Sequence, residues 1–134
     1  MSLAVSEAAL GIFMFDNNSL AGVVDRLTSD DFESRRHQII YSAITELHGA
    51  GNDFDALSVA EFLDQRDQLE IAGGFEYLAS LALETASTAN IAMFVAIIRQ
   101  AARQRRIKAA AQQLIESYDF EAAEKQLREA LEAA

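Results

Sequence analysis

Two adjacent glycines, Gly73 and Gly74, stand directly before a helical run that begins at Phe75. Glycine costs helix stability, so such a pair marks a tight turn, a helix start or a backbone that approaches a ligand closely. A phosphate-binding loop would need G-x-x-x-x-G-K-[ST], but the only lysines of the sequence are Lys108 and Lys125. A dinucleotide site would need G-x-G-x-x-G after a strand, and that pattern does not occur. We therefore predict a turn with positive φ that starts the next helix, and no cofactor-binding site.

The other side chains that could do chemistry are two histidines, His37 and His48, and several acidic clusters. A zinc site would need further ligands at regular spacing, and no H-E-x-x-H or similar pattern surrounds either histidine. Turn formation and solvation explain the acidic clusters. No nucleophile can be paired with a base. We predict no catalytic residue and no metal ligand, and we predict a structural hydrogen bond for His37.

A basic run at Arg99–Lys108 contrasts with the rest of the sequence. Residues 1–98 hold four basic and fifteen acidic residues, a net charge of −11, whereas the remaining residues carry +1. An acidic surface repels nucleic acid, so DNA could contact only the basic run. Few aromatic residues are interleaved with it, which argues against a base-stacking platform. We favour a structural role, in which the run pairs with Asp119, Glu124 or Glu129, and we expect no direct DNA binding.

The composition is that of a globular protein, with 51% hydrophobic and 24% charged residues and neither proline nor cysteine. A chain of 134 residues is long enough to bury a core. No apolar run reaches the ~18–20 residues that cross a bilayer, and no basic region of a signal peptide precedes the first apolar segment. The absence of cysteine agrees with a cytosolic protein.

Apolar spacing predicts helices along the whole chain, which gives an all-α fold class. The clearest early helix is predicted from about Ser34 to His48, where isoleucine, alanine and leucine recur at three- and four-residue intervals. Ser58 with Glu61 matches a capping box and predicts the start of the next helix there.

The last third of the chain predicts a long antiparallel helical hairpin. No glycine interrupts the residues from Thr88 to Tyr118, and Asp119 can cap a final helix. This divides the chain into a compact helical head, residues 1–87, and a hairpin, residues 88–134. Two helices bury only part of their apolar stripes, so we predict that the hairpin self-associates. The candidate dimer residues are Ile91, Phe94, Val95, Ile98, Leu127 and Leu131.

Several short motifs follow one another along the chain. They are Leu10-Gly11, Asp31-Phe32, Arg35–Tyr41, Leu69–Leu78, Thr85–Asn90 and Ile97–Arg99. In this order and spacing they resemble the N-terminal domain of DnaB-type replicative DNA helicases, over about residues 6–114. Two prolines of the family pattern are missing, one of them replaced by Ala86, and a usual tyrosine is replaced by Phe94. These departures indicate a divergent member, such as a phage or prophage version.

The resemblance implies assembly and docking rather than chemistry. In that family the hairpins pair into dimers, and three dimers form a collar that stabilises the hexameric helicase and docks the helicase-binding domain of primase. ATP and Mg²⁺ belong to a C-terminal RecA-like motor domain, which we expect to lie outside these 134 residues. We therefore expect this chain to be no enzyme itself, although its parent would be an ATP-dependent helicase of a bacterial or phage-infected cytoplasm. A helicase loader is a further candidate partner.

Two residues are candidates for contact with primase. Tyr77 lies in the G-G-x-x-Y-L turn, and a tyrosine offers both apolar area and a hydroxyl to an interface. The alternative for Tyr77 is that it packs the head against the hairpin. Leu114 is a weaker candidate, because core or dimer packing also explains it. The alternative function is a stand-alone helical regulator that binds helicase or primase competitively.

Overall fold

The computed structural model describes residues 3–85 and 87–133, so the departure at Ala86 lies outside the described residues. Within these two ranges the regular secondary structure is helical and includes no strand, which confirms the predicted all-α class. The α-helices are α1 (Leu3–Phe15), α2 (Asn18–Ala21), α3 (Arg35–Gly49), α4 (Ala56–Asp64), α5 (Gly74–Leu83), α6 (Ile91–Ser117) and α7 (Phe120–Ala133). A 3₁₀ turn at Ser29–Asp31 precedes α3.

Contacts divide the chain into two units, residues 1–103 and residues 104–134, and the long helix α6 begins in the first and ends in the second. The predicted division between residues 87 and 88 was placed where the long helix was expected to begin. The division by contacts lies between residues 103 and 104, inside α6. The head and hairpin boundary stays a prediction.

The core of the first unit is formed by α1, α3, α4 and α5. α1 packs against α3 and α5, and α4 packs against the same two helices. Tyr41 lies at the centre, with ring centroids 5.9 Å from Phe13 and 5.0 Å from Phe32. Its hydroxyl donates to the carbonyl oxygen of Leu27 at 2.8 Å, so the buried polar group is paired.

α1 and α5 cross closely at Gly11. A β-carbon at this position would overlap the carbonyl oxygen of Leu81 and lie 2.8 Å from the Thr85 hydroxyl oxygen. Backbone atoms cannot move aside as a flexible side chain can, so the crossing requires the absence of a side chain. The Leu10-Gly11 motif is therefore explained by helix packing.

The start of α4 differs from the predicted capping box. Asp55 is the N-cap residue: its Oδ1 accepts from the amide of Ser58 at 2.9 Å, and the Ser58 hydroxyl oxygen accepts from the amide of Asp55 at 2.8 Å. The prediction that Ser58 caps this helix with Glu61 was wrong, because Asp55 is an equally good cap and starting there also buries Ala56.

The second unit contains the end of α6 and all of α7, joined by the two residues Tyr118 and Asp119. The amide of Ala122 donates to Asp119 Oδ1 at 3.0 Å, which confirms the predicted cap of the final helix. The rings of Tyr118 and Phe120 meet edge to face, with centroids 4.6 Å apart. No residue of α7 from Phe120 to Ala133 is buried, so its apolar stripe is exposed.

We predict that Gly11→Ala lowers the free energy of unfolding by about 1–3 kcal/mol, because the added methyl group overpacks the α1–α5 crossing. Urea unfolding followed by far-UV circular dichroism measures this. Gly22→Ala is the matched control, since a β-carbon at Gly22 would meet nothing within 4 Å. Equal stability of the two variants would contradict the packing role of Gly11.

Candidate partner-binding site

The glycine pair forms the turn into α5. Gly73 has φ 107° and Gly74 has φ 82°, so both lie in the left-handed region that favours glycine. The amides of Gly73 and Gly74 donate to the carbonyl oxygens of Glu70 at 3.0 Å and Leu69 at 2.9 Å. This confirms the prediction of a positive-φ turn that starts a helix.

Gly73 has a second function that Gly74 does not share. A β-carbon at Gly73 would lie 2.7 Å from Cδ2 of Tyr77, whereas one at Gly74 would meet nothing within 4 Å. The Tyr77 ring therefore lies against the bare backbone of the turn. The glycine at position 73 makes room for this ring.

The Tyr77 hydroxyl joins three helices through two hydrogen bonds. It donates to Oε2 of Glu7 on α1 at 2.7 Å, and it lies 2.8 Å from Nε2 of His37 on α3. Because the single hydroxyl proton is directed to Glu7, the histidine must donate its Nε2–H to the hydroxyl oxygen. The structural hydrogen bond predicted for His37 is confirmed.

This arrangement fixes the protonation states of the two rings. His37 is buried, and its Nδ1 has no hydrogen-bond partner among the described residues, which suits a deprotonated nitrogen. Burial lowers the pKa of His37, and Arg36 lowers it further, although the Glu7 carboxylate opposes both effects. Burial, together with the hydrogen bond to Glu7, raises the pKa of Tyr77 to about 12. At neutral pH, His37 is therefore neutral and Tyr77 keeps its proton.

Arg36 covers one face of the Tyr77 ring, with its guanidinium carbon 4.5 Å from the ring centroid. This distance is within the range of a cation–π interaction. Arg36 and its neighbour Arg35 are both exposed at the start of α3. Tyr77 itself is only partly buried, so a ring capped by a guanidinium is available to a partner.

A groove of about 300 Å³ lies beside this cluster, between α1 and the end of α5. Its lining includes Glu7, Ile12, Leu81, Glu84, Asn90 and Phe94. Glu7 belongs to both features, because one of its oxygens accepts from the Tyr77 hydroxyl. The groove is acidic at its rim, in contrast to the Arg36 side of the tyrosine.

The structure places the two predicted primase contacts in different units. Tyr77 belongs to the first unit, and Leu114 lies in the second unit with 66% of its surface exposed. Neither role is tested by these positions, and both stay predictions.

The predicted dimer residues also occupy different environments. Val95 and Ile98 are buried in the core of the first unit, and Ile91 and Phe94 are partly buried against the same core. Leu127 and Leu131 in α7 are 66% and 72% exposed. The dimer assignment of all six residues stays a prediction, but Val95 and Ile98 have a role within one chain.

Sequence reasoning missed Glu7 and Arg36 as members of the Tyr77 cluster. Arg36 stands next to His37 inside a motif that was recognised, so its position could have been noticed. Glu7 lies 70 residues from Tyr77 in the chain, and no local pattern indicates that contact.

Two properties of residues 3–85 and 87–133 bear on function. In this part of the chain, no group of three or more histidine, aspartate or glutamate side chains is arranged to hold a metal ion. None of the helices within it has the length and apolar character needed to cross a lipid bilayer.

Comparison with known proteins decides the family. The sequence profile of the DnaB-like helicase N-terminal domain matches residues 2–100, which is well over half of the chain. The chain belongs to the DnaB-like helicase N-terminal domain family. Among curated relatives, the replicative DNA helicase DnaB of Mycobacterium leprae is 34% identical over 122 residues, covering 91% of this chain and 20% of that protein. DnaB of Buchnera aphidicola from Baizongia pistaciae is 34% identical over 119 residues, covering 88% and 26%.

Solved structures agree with this DnaB-like assignment. The crystal structure of the N-terminal domain of DnaB helicase from Mycobacterium tuberculosis superposes with a TM-score of 0.82 at 33% identity, covering 87% of this chain and 83% of that one. A DnaB-like replicative helicase, studied with its interactions with primase, gives a TM-score of 0.78 at 25% identity, covering 99% and 32%. The DnaB-like chain thus spans about a fifth to a quarter of the length of the curated relatives described above.

We predict that the buried His37 makes this DnaB-like domain less stable as the pH falls below about 6.5. Its pKa is lowered in the folded state, so the unfolded chain binds the proton first, and stability rises with pH wherever the unfolded state binds more protons. The slope from one such group is at most about 1.4 kcal/mol per pH unit.

His37→Gln keeps a donor for the Tyr77 hydroxyl and removes the titrating group. The free energy of unfolding, measured between pH 7 and pH 5, should therefore fall less steeply in His37→Gln than in the wild type. His48→Gln, which removes the other histidine of the sequence, is the matched control. If the free energy of unfolding fell equally steeply with pH in the wild type and in His37→Gln, His37 would have the same pKa in the folded and unfolded states, which would contradict the prediction.

Proposed function

We propose that this domain is the N-terminal collar domain of a replicative DNA helicase, where it supports assembly of the hexamer and docks primase. The observation that carries the proposal is the match of nearly the whole chain to a DnaB-like replicative helicase studied with its interactions with primase. In this role the domain performs no catalysis and binds no cofactor, and ATP and Mg²⁺ are bound by the motor domain of the parent protein. Its place of action is the bacterial cytoplasm, and a helicase loader is a further partner.

Self-association of the second unit is supported by its exposed apolar side chains. The large ones are Ile107, Leu114, Ile115, Tyr118, Phe120, Leu127 and Leu131, each more than half exposed. A small soluble unit rarely leaves so many large apolar side chains in water. A second copy of the same unit would cover them in the symmetric way that closed dimers use. The assembly we propose is a dimer that builds up to the hexamer.

Docking of primase is supported by the site around Tyr77. The ring is exposed enough to be contacted, yet its hydroxyl and one face are fixed by Glu7, His37 and Arg36. A side chain held in place before binding loses little conformational entropy on contact, which favours affinity. Aromatic side chains with such support are typical centres of protein interfaces.

We predict that Tyr77→Ala weakens binding of the primase helicase-binding domain by about 1–2 kcal/mol with unchanged helicity. Fluorescence anisotropy titration of the labelled primase domain measures the affinity, and circular dichroism measures the helicity. Tyr77→Phe should keep more of the affinity, because the ring remains while the hydroxyl is used inside the domain. Unchanged affinity of Tyr77→Ala would assign Tyr77 to packing of the domain.

The glycine pair provides the matched control for this titration. Gly73→Ala and Gly74→Ala carry similar backbone strain, since both positions have positive φ, but only Gly73→Ala displaces the Tyr77 ring. Gly73→Ala should therefore approach the affinity of Tyr77→Ala, and Gly74→Ala should stay near the wild type. Equal losses in both variants would indicate that general strain, rather than the ring position, determines binding.

We predict that Leu127→Lys shifts the domain toward monomer in multi-angle light scattering at tens of micromolar protein. A lysine in the exposed apolar stripe of α7 would have to be desolvated in the interface. Gln126→Lys adds the same charge at an exposed position about 100° around the helix and is expected to keep the wild-type oligomer. A wild-type domain that is monomeric at this concentration would contradict self-association of the second unit.

A further inference from the structure

We propose that the guanidinium of Arg36, held on the Tyr77 ring, binds a carboxylate of the primase helicase-binding domain. This inference rests on the proposed function and specifies the chemistry that primase must present. The contact is a side-chain carboxylate from an acidic segment of primase, placed at the edge of the Tyr77 ring.

The tyrosine hydroxyl has no capacity left to recognise a partner by donating a hydrogen bond. Its proton is directed to Glu7 at 2.7 Å, and its oxygen accepts from His37 at 2.8 Å. A hydrogen bond donated to a partner at this site must therefore come from another group. Arg36 is the charged side chain that contacts the ring.

Arg36 has N–H donors that no carboxylate of the described residues uses. A guanidinium carries five N–H donors in a planar fork that matches a carboxylate. Arg36 is exposed and forms no ion pair with a carboxylate of residues 3–85 or 87–133. Glu7 uses Oε2 for the tyrosine, and Glu33, close by in the chain, forms no ion pair with Arg36 either. An acceptor for Arg36 is therefore expected from outside the domain.

The Tyr77 ring restricts the position of the Arg36 guanidinium. An exposed arginine normally loses considerable rotamer freedom when it forms an ion pair, which is why surface pairs contribute little. Stacking on Tyr77 at 4.5 Å reduces that loss before the partner arrives. A planar, bidentate pair can then form with little further ordering.

The charge of the surrounding residues also favours an acidic partner at Arg36. Residues 1–98 carry a net charge of −11 with only four basic residues, and Arg35 and Arg36 are the two that stand side by side. An acidic segment would be repelled by most of residues 1–98 and attracted at this adjacent pair of arginines. Such a pattern selects the orientation of a partner as well as its charge.

The test compares two adjacent arginines that carry the same charge. Arg35→Gln and Arg36→Gln each remove one positive charge from the start of α3, but only Arg36 contacts the Tyr77 ring. The primase helicase-binding domain from the organism that carries this gene is titrated into each variant by isothermal calorimetry. We expect Arg36→Gln to weaken binding about tenfold and Arg35→Gln about threefold or less, because a bidentate contact is stronger than a distant charge.

Two further measurements make the result specific. Arg36→Lys keeps the charge without the planar fork, so its affinity should lie between those of the wild type and Arg36→Gln. Raising NaCl from about 50 to 300 mM should weaken the wild type more than Arg36→Gln, because screening acts on the charge that the variant lacks.

The outcomes separate this inference from the proposed function. Wild-type binding with Arg36→Gln unchanged would overturn the carboxylate contact and leave primase docking in place. Equal losses in Arg35→Gln and Arg36→Gln would also overturn it, since general charge would then explain the effect. No binding of primase by the wild type would overturn the docking function and this contact with it.

Discussion

The hydroxyl of Tyr77 is the point on which the candidate site depends, because it ties three helices of the first unit together. Its hydrogen bonds join α5 to Glu7 on α1 and to His37 on α3, and both partners lie far from Tyr77 in the chain. A buried histidine donor without this oxygen would be unpaired, which costs about 1–3 kcal/mol. The bare backbone at Gly73 and the close crossing at Gly11 both serve the same packing, since α5 must approach α1 closely for the bond to Glu7 to form. The hydrogen bonds of Glu7, His37 and Tyr77 therefore hold the helices together. The exposed side of the Tyr77 ring, with Arg36 on it, is the part that a partner can contact.

The two units of the chain differ in how far they bury their apolar side chains. The first unit buries a core of aromatic and aliphatic side chains, among them Phe13, Tyr41 and Ile44, and residues 1–98 carry a net charge of −11. The second unit leaves the apolar stripe of α7 exposed, which is the observation behind the self-association proposed above. This division suits the assembly and docking roles proposed above.

Much of the fold could be predicted from the sequence, because helical periodicity, glycine turns and aspartate caps are local signals. The Gly73-Gly74 turn and the Asp119 cap follow directly from residue types at neighbouring positions. The cap of α4 was misplaced because two good capping residues, Asp55 and Ser58, stand three positions apart and only packing decides between them. The site was predicted in part: Tyr77 and His37 were identified from their motifs, but the link to Glu7 is long-range and leaves no trace in local spacing. The burial of Val95 and Ile98 was likewise hidden, since an amphipathic stripe does not reveal whether it packs on its own chain or on another.

The most direct test of the account is a nuclear magnetic resonance titration of the ¹⁵N-labelled domain with unlabelled primase helicase-binding domain. The account predicts that the largest amide shift changes fall on residues 35–37 and 73–78, because the Arg36–Tyr77 pair is the contact point and the glycine turn supports it. Shift changes at these residues that saturate at no more than one primase domain per copy of this domain would support the proposed contact. Shift changes confined to α7, or none at a saturating concentration of primase, would contradict it.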